Sequence, residues 1–297
     1  MSLLRYYTIR GNLFLYVCLI LINTEAFAFL HGYSFYSNSP SVRTTYLNSH
    51  REITFYNSLT QRKEKFEPLS KSKYVSLYTC GPTIYDYAHI GNFRAFLTYD
   101  VLKRVLQYFG YDVDHICNLT DIDDKIIARC DRENISLKDL TDKYEKVFMD
   151  DLEALNIVKA RAYPRATEHI HDMVRLVKEL HQNGLAYRSE EGSWYFDVAA
   201  KEGYGNQLVK LDINAMKKGA SGVAGMQRMG DIDADEYDAE KIGMRDFALW
   251  KAYKPNFDRQ DATWDTDIGK GRPGWHLECS AMARKFLGDT IDIHCGE

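Results

Sequence analysis

A strand–helix–strand pattern that begins at Tyr74 is the feature that most constrains the fold of this chain. Tyr74–Cys80 is a short β-rich run that predicts a buried strand. Phe93–Phe109 has apolar residues at helical spacing, and Gly110 follows where a helix cap belongs. Tyr111–Leu119 predicts the next strand. A unit of this length implies a right-handed crossover, so we predict an α/β fold with a Rossmann-like parallel sheet.

Two amphipathic helices are predicted farther along, at Leu137–Ile157 and Ala166–Asn183. The second contains His169, His171 and His181. Their spacing is not that of an H-E-x-x-H zinc motif, so we predict a surface role for all three histidines.

A connective insertion, helical or mixed, is predicted at about 160–245. It includes Gly219–Gly243, which is glycine-rich and then acidic. The acidic triplet that starts at Asp231 departs from a calcium loop, with Glu236 at its sixth position and Ile242 at its twelfth. We therefore predict no calcium site there.

Residues 1–28 have the three regions of a secretory signal peptide. Arg5 and Arg10 precede an apolar run, Leu13–Ile22, and the sequence Ala26-Phe27-Ala28 is an A-x-A cleavage pattern. A buried helix is the alternative interpretation. Ten apolar residues are too few for a membrane span, which takes roughly 20, so we predict no membrane association of the mature form.

Residues 29–70 are predicted to be a disordered, transit-like segment, since residues 29–51 contain five serines and no acidic residue. A signal peptide followed by such a segment resembles the two-part presequence of nucleus-encoded plastid proteins in algae with secondary plastids. That resemblance predicts a plastid address, with the mitochondrion or cytoplasm as alternatives. Plain secretion is disfavoured because the six cysteines form no obvious disulfide framework.

The first motif with chemical content runs from Cys80-Gly-Pro-Thr to His89-Ile-Gly-Asn92. It links the end of the first strand to the start of the first helix. Free backbone N–H groups and the positive end of the helix dipole suit phosphate, and Gly91 lets a ligand approach closely. His89 can donate a hydrogen bond to a phosphate oxygen.

The net charge of −4 excludes a generic nucleic-acid coat protein, which would be basic.

The second motif, Gly271–Met282, pairs a tight turn with a helix start and places Cys279 inside that helix. Alone, Cys279 would be interpreted as a small buried apolar residue. The third motif, Asn118–Lys125, places Thr120 at the carboxyl end of a parallel strand, where such sheets bind ligands. Its plainer interpretation is a helix start with Asp121 as the cap and two aspartates in the first turn.

In their order and spacing, the three motifs resemble those of cysteine–tRNA ligases, a family of class I aminoacyl-tRNA synthetases. The resemblance runs from Tyr74 to His294 and implies a catalytic domain over residues 71–297. It implies that Cys80 and Cys279 are zinc ligands. It also implies an ATP-binding turn with a catalytic histidine, and a cysteine pocket. The turn residues are His89, Ile90, Gly91 and Asn92, and the pocket residues are Gly81, Thr120 and Trp275.

The implied function is activation of cysteine by ATP with Mg²⁺, and transfer of the cysteine to tRNA(Cys) in organellar protein synthesis. Zinc binds a soft thiolate better than a hydroxyl, whereas a pocket that tests shape alone separates near-isosteres weakly. The resemblance therefore predicts Zn²⁺ as the means of telling cysteine from serine. No pattern in the sequence indicates an oligomeric state.

Two departures from the family qualify this prediction. The His-His-Glu-Asn-Glu segment, which supplies two more zinc ligands, and the Lys-Met-Ser-Lys-Ser loop, which grips ATP phosphates, are not in these 297 residues. His294 and Cys295 are not expected to replace the missing ligands. We therefore predict a catalytic domain that is incomplete at its C-terminus. The alternatives are an inactive truncated paralogue, a gene-model fragment, or a related ligase that passes cysteine to an amino sugar.

Overall fold

A computed structural model describes residues 52–57, 59–205, 241–243 and 245–296. The predicted signal peptide, residues 29–51 and nearly all of Gly219–Gly243 lie outside these residues. In the described part of the chain, no helix has the length and apolarity needed to cross a bilayer.

The described chain opens with a β-hairpin of strands β1 (Thr54–Asn57) and β2 (Arg62–Lys65). Phe66 follows the hairpin and is 2% exposed, with its ring 5.3 Å from Phe55 and 5.6 Å from Tyr111. The prediction that residues up to 70 lie outside the fold is therefore wrong from residue 52 onward. Strand β2 reads RKEK, so its sequence has no apolar alternation, and one aromatic anchor holds the hairpin to the core.

A three-stranded parallel sheet forms the centre of the fold. Strands β3 (Tyr74–Thr79) and β4 (Asp112–Cys117) pair in parallel across the crossover helix α1 (Ile90–Tyr108). A strand from the end of the chain, Ile293–Cys295, pairs with the other side of β3. The predicted α/β class and parallel sheet are confirmed. The carboxyl ends of β3 and β4 meet at one edge, where such sheets bind ligands.

Three further helices follow β4: α2 (Asp124–Glu133), α3 (Leu137–Ala154) and α4 (Ile170–Gln182). The predicted helix at 166–183 begins as a 3-10 turn, Ala166–His169, before α4. His169 does not have the predicted surface role, because its Nδ1 lies 3.2 Å from Asp172 and its ring packs 5.3 Å from Phe286. His171 and His181 are exposed, although His181 Nδ1 lies 2.8 Å from Ala186 O and its ring packs 5.0 Å from Trp194.

A second, antiparallel sheet contains β5 (Ala186–Arg188), β6 (Trp194–Phe196), β7 (Phe247–Ala252) and β8 (Gly271–Pro273), in that spatial order. It leads through Gly274 into helix α5 (Trp275–Leu287), which precedes the last strand, β9 (Ile293–Cys295). Gly274 N–H donates to Leu249 O at 2.8 Å, and a Cβ at Gly274 would lie 2.0 Å from Ala248 O. The start of α5 is thus held against β7.

A buried ionic network ties this second sheet to helix α2. The Arg272 side chain, 5% exposed, lies 2.6 Å from Asp124 Oδ1 and 2.8 Å from Asp258 Oδ1. Lys251 Nζ lies 2.5 Å from the other Asp124 oxygen. The network joins the two segments of chain that follow Thr120 and precede Trp275.

Candidate active site

Two cysteine sulfurs meet at the carboxyl edge of the parallel sheet. Cys80 directly follows β3 and Cys279 lies in α5, yet their Sγ atoms are 3.6 Å apart. Both side chains are half-buried, whereas Cys117 and Cys295 are buried, and burial raises the pKa of each of these two thiols to about 12. The structure therefore brings together the two predicted zinc ligands, which we call the sulfur pair.

Gly81 fixes the loop that carries Cys80. Its N–H donates to Asn118 Oδ1 at 3.1 Å, and a Cβ at this position would lie 1.6 Å from the backbone oxygen of Asn118. Two more backbone bonds continue the contact, from Thr120 N to Pro82 O at 3.1 Å and from Ile84 N to Thr120 O at 3.0 Å. These hydrogen bonds hold the loop after β3 against the segment of chain after β4.

Thr120 is buried at the centre of a polar cluster. Its hydroxyl donates to Glu278 Oε2 at 2.9 Å and accepts from Asn118 Nδ2 at 3.4 Å. Asn118 Oδ1 also lies 3.5 Å from Cys279 Sγ. Asn118 and Glu278 were not among the predicted site residues, although both stand inside the motifs, two residues before Thr120 and one before Cys279. Burial of such polar residues depends on contacts across the sheet, which spacing along the sequence does not reveal.

Glu278 has an unusual environment for a carboxyl group. It is 1% exposed, and burial, followed by the charge of Cys279, raises its pKa well above the ordinary value. Its Oε1 has no hydrogen-bond partner within the described residues. A buried, half-satisfied polar group of this kind is uncommon in folded proteins and calls for a functional explanation.

The remaining candidate ligands, His294 and Cys295, lie in β9, where the backbone oxygen of Cys295 accepts from Cys80 N at 2.9 Å. The His294 ring packs edge-on against Tyr78 at 5.2 Å, and Cys295 is buried in β9. Burial, with Cys279 next, raises the pKa of the Tyr78 hydroxyl. Over the part of the chain that the structure covers, no group of three or more His, Cys, Asp or Glu side chains is arranged to hold a metal ion.

The predicted phosphate-binding turn is a helix cap. His89 Nδ1 accepts from Gly91 N at 3.0 Å, and Asn92 Oδ1 accepts from His89 N at 3.1 Å. Helix α1 consequently begins at Ile90 and not at Phe93, and these two N–H groups are already bonded. Since Nδ1 accepts, the neutral ring carries its proton on Nε2, which is then available to donate to a ligand.

The start of α2 also differs from the prediction. Its cap is Asp123, whose Oδ1 accepts from Lys125 N at 2.8 Å, and not Asp121. Asp121 instead accepts from both the N–H and the hydroxyl of Thr167, at 2.9 and 2.6 Å. The pairing with Thr167 lies far along the sequence, so local patterning could not distinguish the two aspartates.

Trp275 is the first residue of α5 and is 37% exposed. It precedes Cys279 by four residues, so the two side chains share one face of the helix. Its ring packs 5.0 Å from the ring of His276.

Comparison with known proteins shows the family to which this chain belongs. Residues 65–297 match the family model for the class I (C) tRNA synthetase catalytic domain. A cysteine–tRNA ligase of Brachyspira hyodysenteriae is 47% identical over 83% of this chain and 49% of its own length. Those of Koribacter versatilis and Chlamydia pneumoniae are each 46% identical, over 82% and 84% of this chain and 46% and 49% of their own lengths. The chain spans about half the length of these relatives.

Among solved structures, Mycobacterium tuberculosis methionyl-tRNA synthetase in complex with methionyl-adenylate overlaps 42% of this chain and 26% of that chain. The identity is 18% and the TM-score is 0.37. With the family match covering most of the sequence, and with the motif residues gathered at one edge of the parallel sheet, the chain belongs to the class I (C) tRNA synthetase family.

Proposed function

We propose that this chain carries the site at which cysteine is activated by ATP, with Mg²⁺, for transfer to tRNA(Cys). One observation carries the proposal: the sulfur pair, with its Sγ atoms 3.6 Å apart, stands at the start of the loop that ends in the His89 cap. A soft-ligand site and a phosphate-binding helix start are thereby joined by residues 81–88. The relatives that match this chain are named cysteine–tRNA ligases, and that name states the amino acid and the tRNA on which they act.

The sulfur pair fits two ligands of one zinc ion. Two thiolates at 2.3 Å from a tetrahedral zinc are about 3.8 Å apart, close to the observed 3.6 Å. Cys80 and Cys279 would hold the ion, which would supply a soft Lewis acid for the sulfur of cysteine and none as good for the hydroxyl of serine. Trp275, on the same face of α5 as Cys279, would pack against the bound amino acid.

Activation requires the carboxylate of cysteine to attack the α-phosphate of ATP. The enzyme's contribution to such a step is positioning and stabilisation of developing charge. His89 Nε2 would donate to a phosphate oxygen, because its Nδ1 is occupied by the N–H of Gly91. The helix dipole of α1 adds positive potential at the same place.

The proposed location is a plastid reached by the secretory route. It is supported by the signal-peptide pattern of residues 1–28 and the acid-free residues 29–51. Since the hairpin begins at Thr54, a presequence would have to end before it. Residues 1–51 fused to a fluorescent protein should accumulate in the plastid of an alga with a secondary plastid. Accumulation in the mitochondrion, or in the cytoplasm, would contradict this address.

The activity is tested by cysteine-dependent exchange of pyrophosphate into ATP, measured on the full-length protein. We expect exchange with cysteine and none above background with serine. Cys80→Ser should lower zinc content and exchange together, because it removes one ligand of the pair. Cys130→Ala, which alters a buried cysteine in α2, is the matched control and should leave both unchanged. Normal zinc content in Cys80→Ser would contradict the metal assignment.

A further inference from the structure

A chain of hydrogen bonds with a fixed direction runs through the candidate active site. It starts at the N–H of Gly81, a backbone group that can only donate, which bonds to Asn118 Oδ1 at 3.1 Å. Because Oδ1 is the acceptor, Asn118 Nδ2 is the donor to Thr120 Oγ1 at 3.4 Å. The hydroxyl of Thr120 in turn donates its hydrogen to Glu278 Oε2 at 2.9 Å. We call this set the Gly81–Glu278 relay.

Glu278 terminates the relay as an acceptor. The residue is 1% exposed, and no lysine or arginine forms an ion pair with it among the described residues. Its Oε1 is buried and also lacks a hydrogen-bond partner in that part of the chain. Burying a carboxyl group without a full set of hydrogen bonds costs free energy. The hydrogen bond from Thr120 therefore explains why Glu278 is buried here.

The relay also runs beside the sulfur pair, since Asn118 Oδ1 lies 3.5 Å from Cys279 Sγ. A substrate side chain that reaches the sulfurs would therefore come close to the Thr120 hydroxyl. That hydroxyl has one hydrogen to donate, and the relay has already directed it to Glu278. A group entering the pocket finds no donor at Thr120.

We propose that Glu278 is a positioning residue that engages the Thr120 hydroxyl and so leaves the pocket without a hydrogen-bond donor for serine. The inference rests on the proposed function, in which Thr120 lines the cysteine pocket. A serine hydroxyl would give up the hydrogen bonds that it accepts from water and find no donor at Thr120 to replace them, whereas a thiol is a weak donor and acceptor and loses less. This selection is additional to that of the sulfur pair and depends on residues other than the cysteines.

The test compares binding of two unreactive analogues, the sulfamoyl adenylates of cysteine and of serine, by calorimetry on the full-length protein. Glu278→Leu removes the acceptor and frees the Thr120 hydroxyl. We expect it to improve binding of the serine analogue relative to the cysteine analogue by about tenfold, which corresponds to about 1.4 kcal/mol. Glu278→Gln keeps an acceptor oxygen and should restore the ratio of the unaltered protein.

Two further variants separate positioning from general damage. In a Thr120→Val background, Glu278→Leu should leave the ratio unchanged, because no hydroxyl remains to be freed. Thr120→Val alone should also change the ratio by less than about twofold, since an engaged hydroxyl does not help serine. Thr141→Val is the matched control, as it removes another buried hydroxyl, which donates to Leu137 O at 2.9 Å in α3. Zinc content should be equal in all variants.

Each result decides something. An unchanged ratio in Glu278→Leu, or a Glu278→Gln that behaves like Glu278→Leu, overturns the inference while leaving the proposed function standing. Selective loss of serine binding in Thr120→Val also overturns it, because that hydroxyl would then be free, and this readout does not require Glu278→Leu to fold. If the unaltered protein binds neither analogue, the proposed function fails and the inference fails with it.

Discussion

His115 is a buried histidine whose pKa is changed by its environment in the fold. It lies inside β4, with Thr79 Oγ1 2.9 Å from its Nε2. Burial, and then the neighbouring Lys103, lower its pKa to about 3, although Asp114 opposes the shift. The folded protein therefore resists protonation of His115 at pH values where an unfolded chain accepts a proton readily.

This shift predicts a pH-dependent stability. In the unfolded chain the histidine is protonated near its ordinary pKa of 6.5, whereas in the folded protein its pKa is about 3. Between these values the unfolded state binds more protons, so the free energy of unfolding falls as the pH falls, by about 1.4 kcal/mol per pH unit. Urea unfolding between pH 4.5 and 7 measures this slope. His115→Gln should flatten it, and His171→Gln, at an exposed position, should not. Equal slopes in all three proteins would show the assignment to be wrong.

Gly81 is a site residue that the sequence predicts, whereas other site residues could not be predicted from the sequence. The motif marks Gly81 as special, and the structure gives the reason, since any side chain would strike the Asn118 backbone. Asn118 and Glu278 also stand in motifs, but their role depends on partners that lie 37 to 161 residues away along the sequence. Local chemistry identifies which residues matter, while only the fold identifies which residues they touch.

The ionic network of Arg272 joins two secondary-structure elements. It holds β8 to the N-terminus of α2, and these elements carry Trp275 and Thr120 toward one another. Burial alone would raise the pKa of Asp124, but Arg272 and Lys251 outweigh it, so the pKa lies below its usual value. The carboxylate is thus stabilised in its charged form by its two cations.

Removing Arg272 should be strongly destabilising. Arg272→Met removes the Arg272 cation from Asp258, whose side chain is 1% exposed, and one of two cations from Asp124, whose side chain is 36% exposed; breaking a buried pair costs about 3–5 kcal/mol. Lys138→Met removes an exposed partner of Asp142 in α3 and should cost less than about 1 kcal/mol. Urea denaturation of both variants measures the difference. A similar, small loss in each would mean that the network does not join the two elements.

Element boundaries differ from the prediction where a local cap or a distant partner intervenes. The helix after the Cys80 loop starts at Ile90 because His89 and Asn92 cap it reciprocally. The hairpin at residues 54–65 has too little apolar pattern to predict, and its anchor, Phe66, contacts Tyr111 far along the sequence. Periodicity predicts helices and buried strands well because each carries its own pattern of burial. It gives no signal for a short, charged hairpin.

At the scale of the whole molecule, the parallel sheet explains why three separate motifs form one site. The carboxyl ends of β3 and β4 and the start of α5 meet at one edge, so Cys80, Thr120 and Cys279 converge although they are spread over 200 residues. The order of strands and helices along the chain predicted the parallel sheet, and the resemblance of the motifs to a known family predicted that they share one site. The antiparallel sheet and its ionic contacts with α2 could not be predicted, because they depend on pairings between distant strands.

We propose that Cys80 and Cys279 bind one metal ion, to which the sulfur of the substrate cysteine would bind. Cobalt substituted for zinc in the full-length protein tests it most directly, because thiolate coordination gives a sulfur-to-cobalt charge-transfer absorption. We predict such a band, reduced in Cys80→Ser and in Cys279→Ser, and strengthened by added cysteine but not by serine. A band that is absent, or that survives unchanged in both variants, would contradict the claim.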